Sequence, residues 1–380
     1  FLLRQKTGSF TSGTSTNNLT LSSRVNDVEI GQSGNTSAIT IANAIDVTGS
    51  VQVWGSTINL NADVTSDDGQ TYAGAVVLGE DVSLNGTEIS ATSTINLGAH
   101  TLAINNSANS SIAGIISGTG ALTKTGSGRL ELTGENTYSG VTTISQGTLY
   151  AIDGQGLPVN SHLLFNGGDF QSQGNFTRSN TPIPGVGTFS NSSASATKFS
   201  AYGGKLTIAI GGDDLPEQMI RVANGSAANQ FRYLFFAGTS ANAEVEVLNN
   251  ISLNNRGVVI DVTTGDGTGD FFATLSGVIR DGDGSAAATI QKQGAGRLNL
   301  KGNNTYSGET RFNNAAATSV LGLGHQNAFG TSTLFLSSPG YIEPLVDLGG
   351  ANKISNNVSL TNNLFVVGPP DLNIGGVVTV

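Results

Sequence analysis

The sequence predicts an all-β chain wound as a parallel β-solenoid with one irregular excursion. Three observations carry that expectation. A block, KTGSGRLELTGENTYSG at 124–140, returns as KQGAGRLNLKGNNTYSG at 292–308. Apolar-polar-apolar triplets recur along most of the chain. The composition is rich in Gly, with 52 residues, and carries only 12 % charged residues and one Met, which leaves little helix-forming material.

The two blocks share the frame G-x-G-R-L-x-L-x-G-x-N-T-Y-S-G, aligned without a gap from Lys124 on Lys292 to Gly140 on Gly308. Chance does not produce that many identities, so the frame is an internal repeat. In each copy the leucines alternate with polar residues: Leu130 and Leu132 with Arg129 and Glu131, Leu298 and Leu300 with Arg297 and Asn299. A period of two places the leucines on one buried face of a strand. Gly134 or Gly302 then breaks the strand. Asn136-Thr137-Tyr138-Ser139-Gly140, and Asn304 to Gly308 in the second copy, read as a polar corner closed by Tyr138 or Tyr306. Asn and Gly tolerate the left-handed backbone that corners demand. Gly126 and Gly128, with Gly294 and Gly296, precede a strand rather than a helix, so they are not a phosphate loop. Val141 and Ile144 open the next strand of the first copy. In the second, Thr310-Arg311-Phe312 keeps a strand and Asn313-Asn314 departs from the frame.

Residues 1–169 hold triplets such as Ile39-Thr40-Ile41, Val51-Gln52-Val53, Val82-Ser83-Leu84 and Leu102-Ala103-Ile104, bounded by Gly, Ser, Asn or Asp. Such strands are short for a sandwich and suit a solenoid, where each coil lends two or three to its neighbours. Gly69-Gln70-Thr71-Tyr72-Ala73-Gly74 reads as a weak echo of the corner. Residues 170–200 carry Pro182 and Pro184 and read as a loop or linker. The stretch 211–225 predicts one helical turn capped by Asp213 or Asp214. Residues 201–380 return to triplets around the second repeat copy. Coils of about 20–25 residues imply roughly 15–19 coils and a stack on the order of 80 Å long. Corner asparagines such as Asn136 and Asn304 are expected to form hydrogen-bonded ladders along it.

The repeat frame resembles the autotransporter-associated β-strand repeat of bacterial surface proteins. The stretches around Gly114–Gly120, Leu275–Ile279 and Ala201–Val262 look like that family's flanks and spacer. The segment QTYAGAVVLGEDVSL is similar to filamentous-haemagglutinin-like solenoids. The resemblance implies a right-handed parallel β-helix, export, and residence at the cell surface or outside the cell. It implies no defined activity.

Charge and composition exclude several classes. A formal net charge of −10 with no basic run is the wrong footprint for nucleic acid. Apolar residues at 37 % with low charge are not those of a disordered chain. No apolar run approaches the roughly 20 residues of a membrane-spanning helix. The chain contains no Cys. It begins at Phe1 rather than Met, which reads as a processed chain or a fragment. Phe1-Leu2-Leu3 and Val377–Val380 are apolar, and bare solenoid ends invite strand addition, so head-to-tail self-assembly is expected.

No catalytic constellation and no cofactor site emerges. His100, His162 and His325 lie far apart and lack zinc-ligand spacing. Asp266, Asp270, Asp281 and Asp283 alternate with glycines and are the candidate calcium ligands, although none completes a known calcium loop. With Arg280 the same residues are the candidate set for a polysaccharide lyase or hydrolase, which needs converging carboxylates. Trp54, beside the 51–53 triplet, reads as packed on a strand or as a sugar-stacking platform. Three functions follow: a secreted structural solenoid of a filament, surface layer or adhesive matrix, without catalysis; a glycan-binding adhesin reading its ligand through the irregular 170–250 region; and a β-helix polysaccharide lyase or hydrolase.

Overall fold

The computed structural model describes residues 26–179, 187–192, 197–211, 220–221, 233–236, 238, 240–254, 256–266, 271–282, 287–312 and 319–380, with the short strands Leu2–Leu3 and Phe10–Ser12. Among these residues the only helix is the 3-10 turn Gly350–Asn352. Every strand pairing described is parallel, and the strands stack in about 14 turns. That is fewer than the expected count, because the coils of the second unit are long. The chain divides into two compact units, residues 1–170 with 187–189, and residues 171–186 with 190–380.

In the first unit the coil period is tight and even. Val82 pairs with Leu102, Leu102 with Leu122 and Leu122 with Thr142. The ladder is a chain of backbone bonds between coils: Val82 N donates to Thr101 O at 2.9 Å, Leu102 N to Ala121 O at 2.9 Å, and Leu122 N to Val141 O at 2.9 Å. Because side chains alternate, each coil drops one residue into the same interior column. Ile104, Lys124, Ile144 and Phe165 form one such column, all buried. Apart from that lysine the column is apolar on apolar, worth about 1.5–3 kcal/mol for each large aliphatic side chain removed from water.

The 51–53 triplet belongs to a longer strand, Val51–Leu60, in which Trp54 is half-buried. The weak echo at Gly69–Gly74 is not a corner. Gln70–Leu78 is one strand, and the Tyr72 hydroxyl donates to Gln70 Oε1 at 2.8 Å inside the core. The burial of Gln70, Tyr72, Val76 and Leu78 along that strand outweighs the local likeness to the motif.

In the second unit the coils are wider and less even. The column Val245, Ala273, Leu298, Leu321, Ile342 advances in steps that shorten from each coil to the next. The loop expected at 170–200 is partly strand: Asp169–Phe176, Phe189–Asn191 and Thr197–Ile208. The misreading has a physical cause. The run after Phe170 buries polar residues, Gln171 and Ser172 among them, and Gln171 Nε2 donates to Ser240 Oγ at 3.1 Å. Polar residues that satisfy one another inside a coil leave no apolar triplet to recognise. Pro182, Pro184, Asp213, Asp214, Asn313 and Asn314 lie outside the described residues.

Candidate functional site

The repeat is a clamp that fastens three successive coils, and each of its special residues has a task in that clamp. The first is a lysine whose role the pattern of apolar residues hides. Lys124 is fully buried, in phase with Leu122. Its Nζ donates to Thr125 O, to Gly126 O at 2.7 Å and to Gln146 O at 3.3 Å. Lys292 does the same in the second copy, donating to Gln293 O at 2.7 Å, Gly294 O at 2.7 Å and Ser319 Oγ at 2.8 Å. Ser319 Oγ donates in turn to Gly294 O at 3.0 Å. Burial pushes the pKa of Lys124 down to about 8 and that of Lys292 to about 7, the latter opposed by the nearby Asp261 carboxylate. Three acceptors around each nitrogen call for all three ammonium protons and work against that push.

The carbonyls that the lysine gathers belong to a turn that needs glycine. Gly126 has φ +73° and Gly294 φ +74°, a backbone region that side chains make costly. Later in the frame glycine serves close approach. A Cβ on Gly134 would sit 2.5 Å from Gly114 O, and one on Gly302 would sit 2.2 Å from Gly277 O. Gly128, Gly140, Gly296 and Gly308 lie against the coil before in the same way.

The corner asparagine spans both neighbouring coils. Asn136 Oδ1 accepts from Ile116 N at 2.7 Å, one coil back, and its Nδ2 donates to Gly156 O at 2.7 Å, one coil on. Asn304 repeats this with Ile279 N at 2.8 Å and Ala328 O at 2.8 Å. These asparagines therefore do not stack on one another as expected, since the backbone of the flanking coils takes up their amides. The tyrosines close the corner from inside. Buried Tyr138 shares a hydrogen bond with Thr142 Oγ1 at 2.7 Å, which continues to Ser161 Oγ at 2.7 Å and on to Gly140 O at 2.7 Å. Tyr306 pairs with Thr310 Oγ1. Leu130, Leu132, Leu298 and Leu300 are buried on the strand between.

A side-chain ladder does exist, on a strand face rather than at a corner. Asn105 Nδ2 donates to Asn85 Oδ1 at 3.1 Å, and Asn85 Nδ2 to Thr65 Oγ1 at 3.3 Å. In the second unit a polar chain crosses the outer face. Arg297 meets Asn299 Oδ1 at 2.9 Å and Glu343 at 2.7 Å, two coils away. It passes the coil of Gly322, where a Cβ would meet Asn299 Oδ1 at 2.1 Å.

Of the calcium candidates, Asp266 and Asp281 are described, and they sit on separate turns. Asp281 receives Ser307 N at 2.8 Å, Ser307 Oγ at 2.7 Å and Ala288 N at 3.0 Å, so its carboxylate ties the Ser307 corner to the preceding coil. Asp266 sits on the turn after Val258–Val262, its amide bonded to Ala241 O at 2.9 Å. Asp270 and Asp283 lie outside the described residues. Arg280 is exposed at the end of its strand. The three histidines occupy separate places: His100 is 3.8 Å from Asp81, His162 Nδ1 is 2.8 Å from Thr188 Oγ1, and His325 Nδ1 accepts from Asn327 N at 3.0 Å. Among the described residues no three His, Cys, Asp or Glu gather as metal ligands, and no helix is long and apolar enough to cross a membrane.

The sequence model of the passenger-associated-transport-repeat matches residues 122–151 and 290–315, the two clamps. Over 252 residues, 61 % of this chain, the sequence is 27 % identical to the adhesin BmaC autotransporter of Brucella suis biovar 1 (strain 1330). The chain spans about 7 % of that relative's length. No solved structure matches it significantly. Clamp geometry, repeat and relative agree: the chain is a parallel β-solenoid carrying two passenger-associated-transport-repeats, and its likeness to an autotransporter adhesin supports a place at the cell surface or outside the cell.

Proposed function

We propose that this chain is a non-catalytic stretch of a surface adhesin passenger, a rigid support that carries adhesive surface away from the cell. The observation that carries the reading is the use of the repeat side chains. Lys124, Asn136, Lys292 and Asn304 spend polar atoms on bonds to neighbouring coils, while Tyr138 and Tyr306 close the corners from inside, which is the work of a scaffold. The relative named an adhesin supports the adhesive role. The test is to display the chain on a non-adherent bacterium and count attachment to host cells and to immobilised glycans. Attachment above the empty display strain supports the reading. A displayed, protease-resistant chain that attaches to nothing sinks the adhesive part, and release of reducing ends from polysaccharide substrates sinks the non-catalytic part.

A further inference from the structure

One outer face of the second unit carries aromatic rings, where strands of the first unit such as Val82–Gly86 and Leu122–Thr125 show Ser, Thr and Asn. In register, the strands Phe272–Leu275, Arg297–Leu300, Val320–Leu323, Gly340–Pro344 and Leu364–Val366 line up Phe272, Arg297, Val320, Tyr341 and Phe365 in one outward column. The Arg297 guanidinium lies over the Phe272 ring at 5.9 Å, and the Tyr341 and Phe365 rings stack at 5.2 Å. Beside it, in the same outward phase, runs a polar column of Thr274, Asn299, Gly322 and Glu343. The polar side chains are joined from coil to coil. Glu343 pairs with Arg297 at 2.7 Å, Arg297 Nε donates to Asn299 Oδ1 at 2.9 Å, and Asn299 Nδ2 donates to Thr274 Oγ1 at 3.2 Å. Thr274 Oγ1 donates in turn to Glu244 Oε1 at 2.6 Å. One coil further back, Lys205 pairs with Glu244 at 3.2 Å and also with Glu246. Both cations are thus matched by carboxylates, while Arg297 and Glu343 keep 31 % and 24 % of their side-chain surface open to solvent.

We propose that this stripe binds a neutral, extended polysaccharide laid along the coil stack; the inference rests on the adhesin reading and names its ligand class. Chemistry selects the ligand. A sugar offers an apolar C–H face and pairs of neighbouring hydroxyls. The face packs on an aromatic ring, and the hydroxyl pair is met by a planar group with two polar atoms, such as a carboxylate, an amide or a guanidinium. The stripe sets those two kinds of group side by side on successive coils. Aromatic residues gathered outward in one column mark a contact surface. Each polar group is already held by its neighbour, so little side-chain freedom is lost on binding. Charge selects against a polyanion, which must break an ion pair at Lys205 or Arg297 and approach a chain of net charge −10. Geometry selects a long ligand. The column repeats at about 4.8 Å per coil, so its five coils make a straight track on which weak subsites add up along one glycan chain.

The test runs the purified full chain through gels containing a soluble galactomannan, a soluble β-glucan or, as the polyanion, heparin. Retardation is expected in at least one neutral gel and not in heparin. A hexasaccharide of the retarding glycan should compete about tenfold better than its disaccharide. Tyr341→Ala and Arg297→Gln should each weaken binding by about tenfold or more. Phe335→Ala removes an outward ring that lies under Arg311 at 5.9 Å, on a different ladder of strands, and should bind as wild type does. Circular dichroism and melting confirm that each variant is folded; if Arg297→Gln is not, Tyr341→Ala decides. The proposal is overturned by free passage through both neutral gels, by retention in heparin instead, by a Phe335→Ala chain as defective as Tyr341→Ala, or by competition that does not grow with glycan length. Display on cells separates it from the adhesin reading. Attachment that survives Tyr341→Ala and Arg297→Gln overturns the stripe and leaves the adhesive role standing. Glycan binding that is lost in Tyr341→Ala, from a chain whose display strain attaches to nothing, supports the stripe and removes the adhesive role.

Discussion

Lys292 Nζ lies 2.8 Å from Ser319 Oγ, both fully buried and one coil apart. Ile260 precedes the lysine in its column and Phe312 follows it, so an ammonium has replaced a hydrocarbon in a continuous apolar stack. What it gains there is the carbonyl turn at Gly294 and a bond to the next coil.

The lysine makes stability depend on pH. An amine whose folded-state pKa lies below its free value of 10.5 binds protons less readily folded than unfolded, so its charge opposes folding. The penalty is full below about pH 7 for Lys292 and fades as pH rises toward 10.5. Relative to a Lys292→Met chain, the wild type should gain stability between pH 7 and 10, by on the order of a few kcal/mol at most. Melting temperatures of the two chains across that range check the slope; a gap that does not change with pH refutes it.

Asn136→Ala removes bonds to Ile116 N and Gly156 O together and leaves both buried backbone groups unmet. The expected loss is about 2–4 kcal/mol, and Asn304→Ala should match it. Asn136→Asp keeps the acceptor and loses the donor, so it should fall between. Denaturant unfolding of the four chains settles the order.

Gly134→Ala and Gly302→Ala drive a methyl into the carbonyl of the coil before, at 2.5 and 2.2 Å. Opening the coil spacing should cost about 1–3 kcal/mol or more. Gly69→Ala, whose Cβ would find its nearest neighbour at 3.6 Å, is the matched control and should be near neutral. Equal melting temperatures for all three would refute the close-approach account.

Tyr138→Phe removes one buried hydroxyl, while Thr142 keeps Ser161 as a partner. A loss of about 1 kcal/mol is expected. Thr142→Val breaks the chain in the middle and takes a partner from both Tyr138 and Ser161, so it should cost more. Urea midpoints of the two variants read the difference directly.

Much of this was legible in one dimension. The leucine alternation at 130–132 and 298–300, the repeat and the triplets such as Val82-Ser83-Leu84 announced parallel coils, because period-two burial needs only neighbours in sequence. Lys124 and Lys292 stand in phase with Leu122 and Ile290, a signal that a search for apolar residues alone passes over. The strands within 170–200 were not legible, since Gln171 finds Ser240 only after the chain has made a long circuit.

The sequence by itself determined that the chain is a repetitive β-structure of short strands, with two like clamps, because local alternation and glycine placement act over a few residues. Only the tertiary structure decided which atoms those clamps join. Asn136 reaches Ile116 and Gly156, and Lys124 reaches Gln146, each on a neighbouring coil. Coil length sets those partners, and coil length is the sum of every turn between them rather than a property of any one.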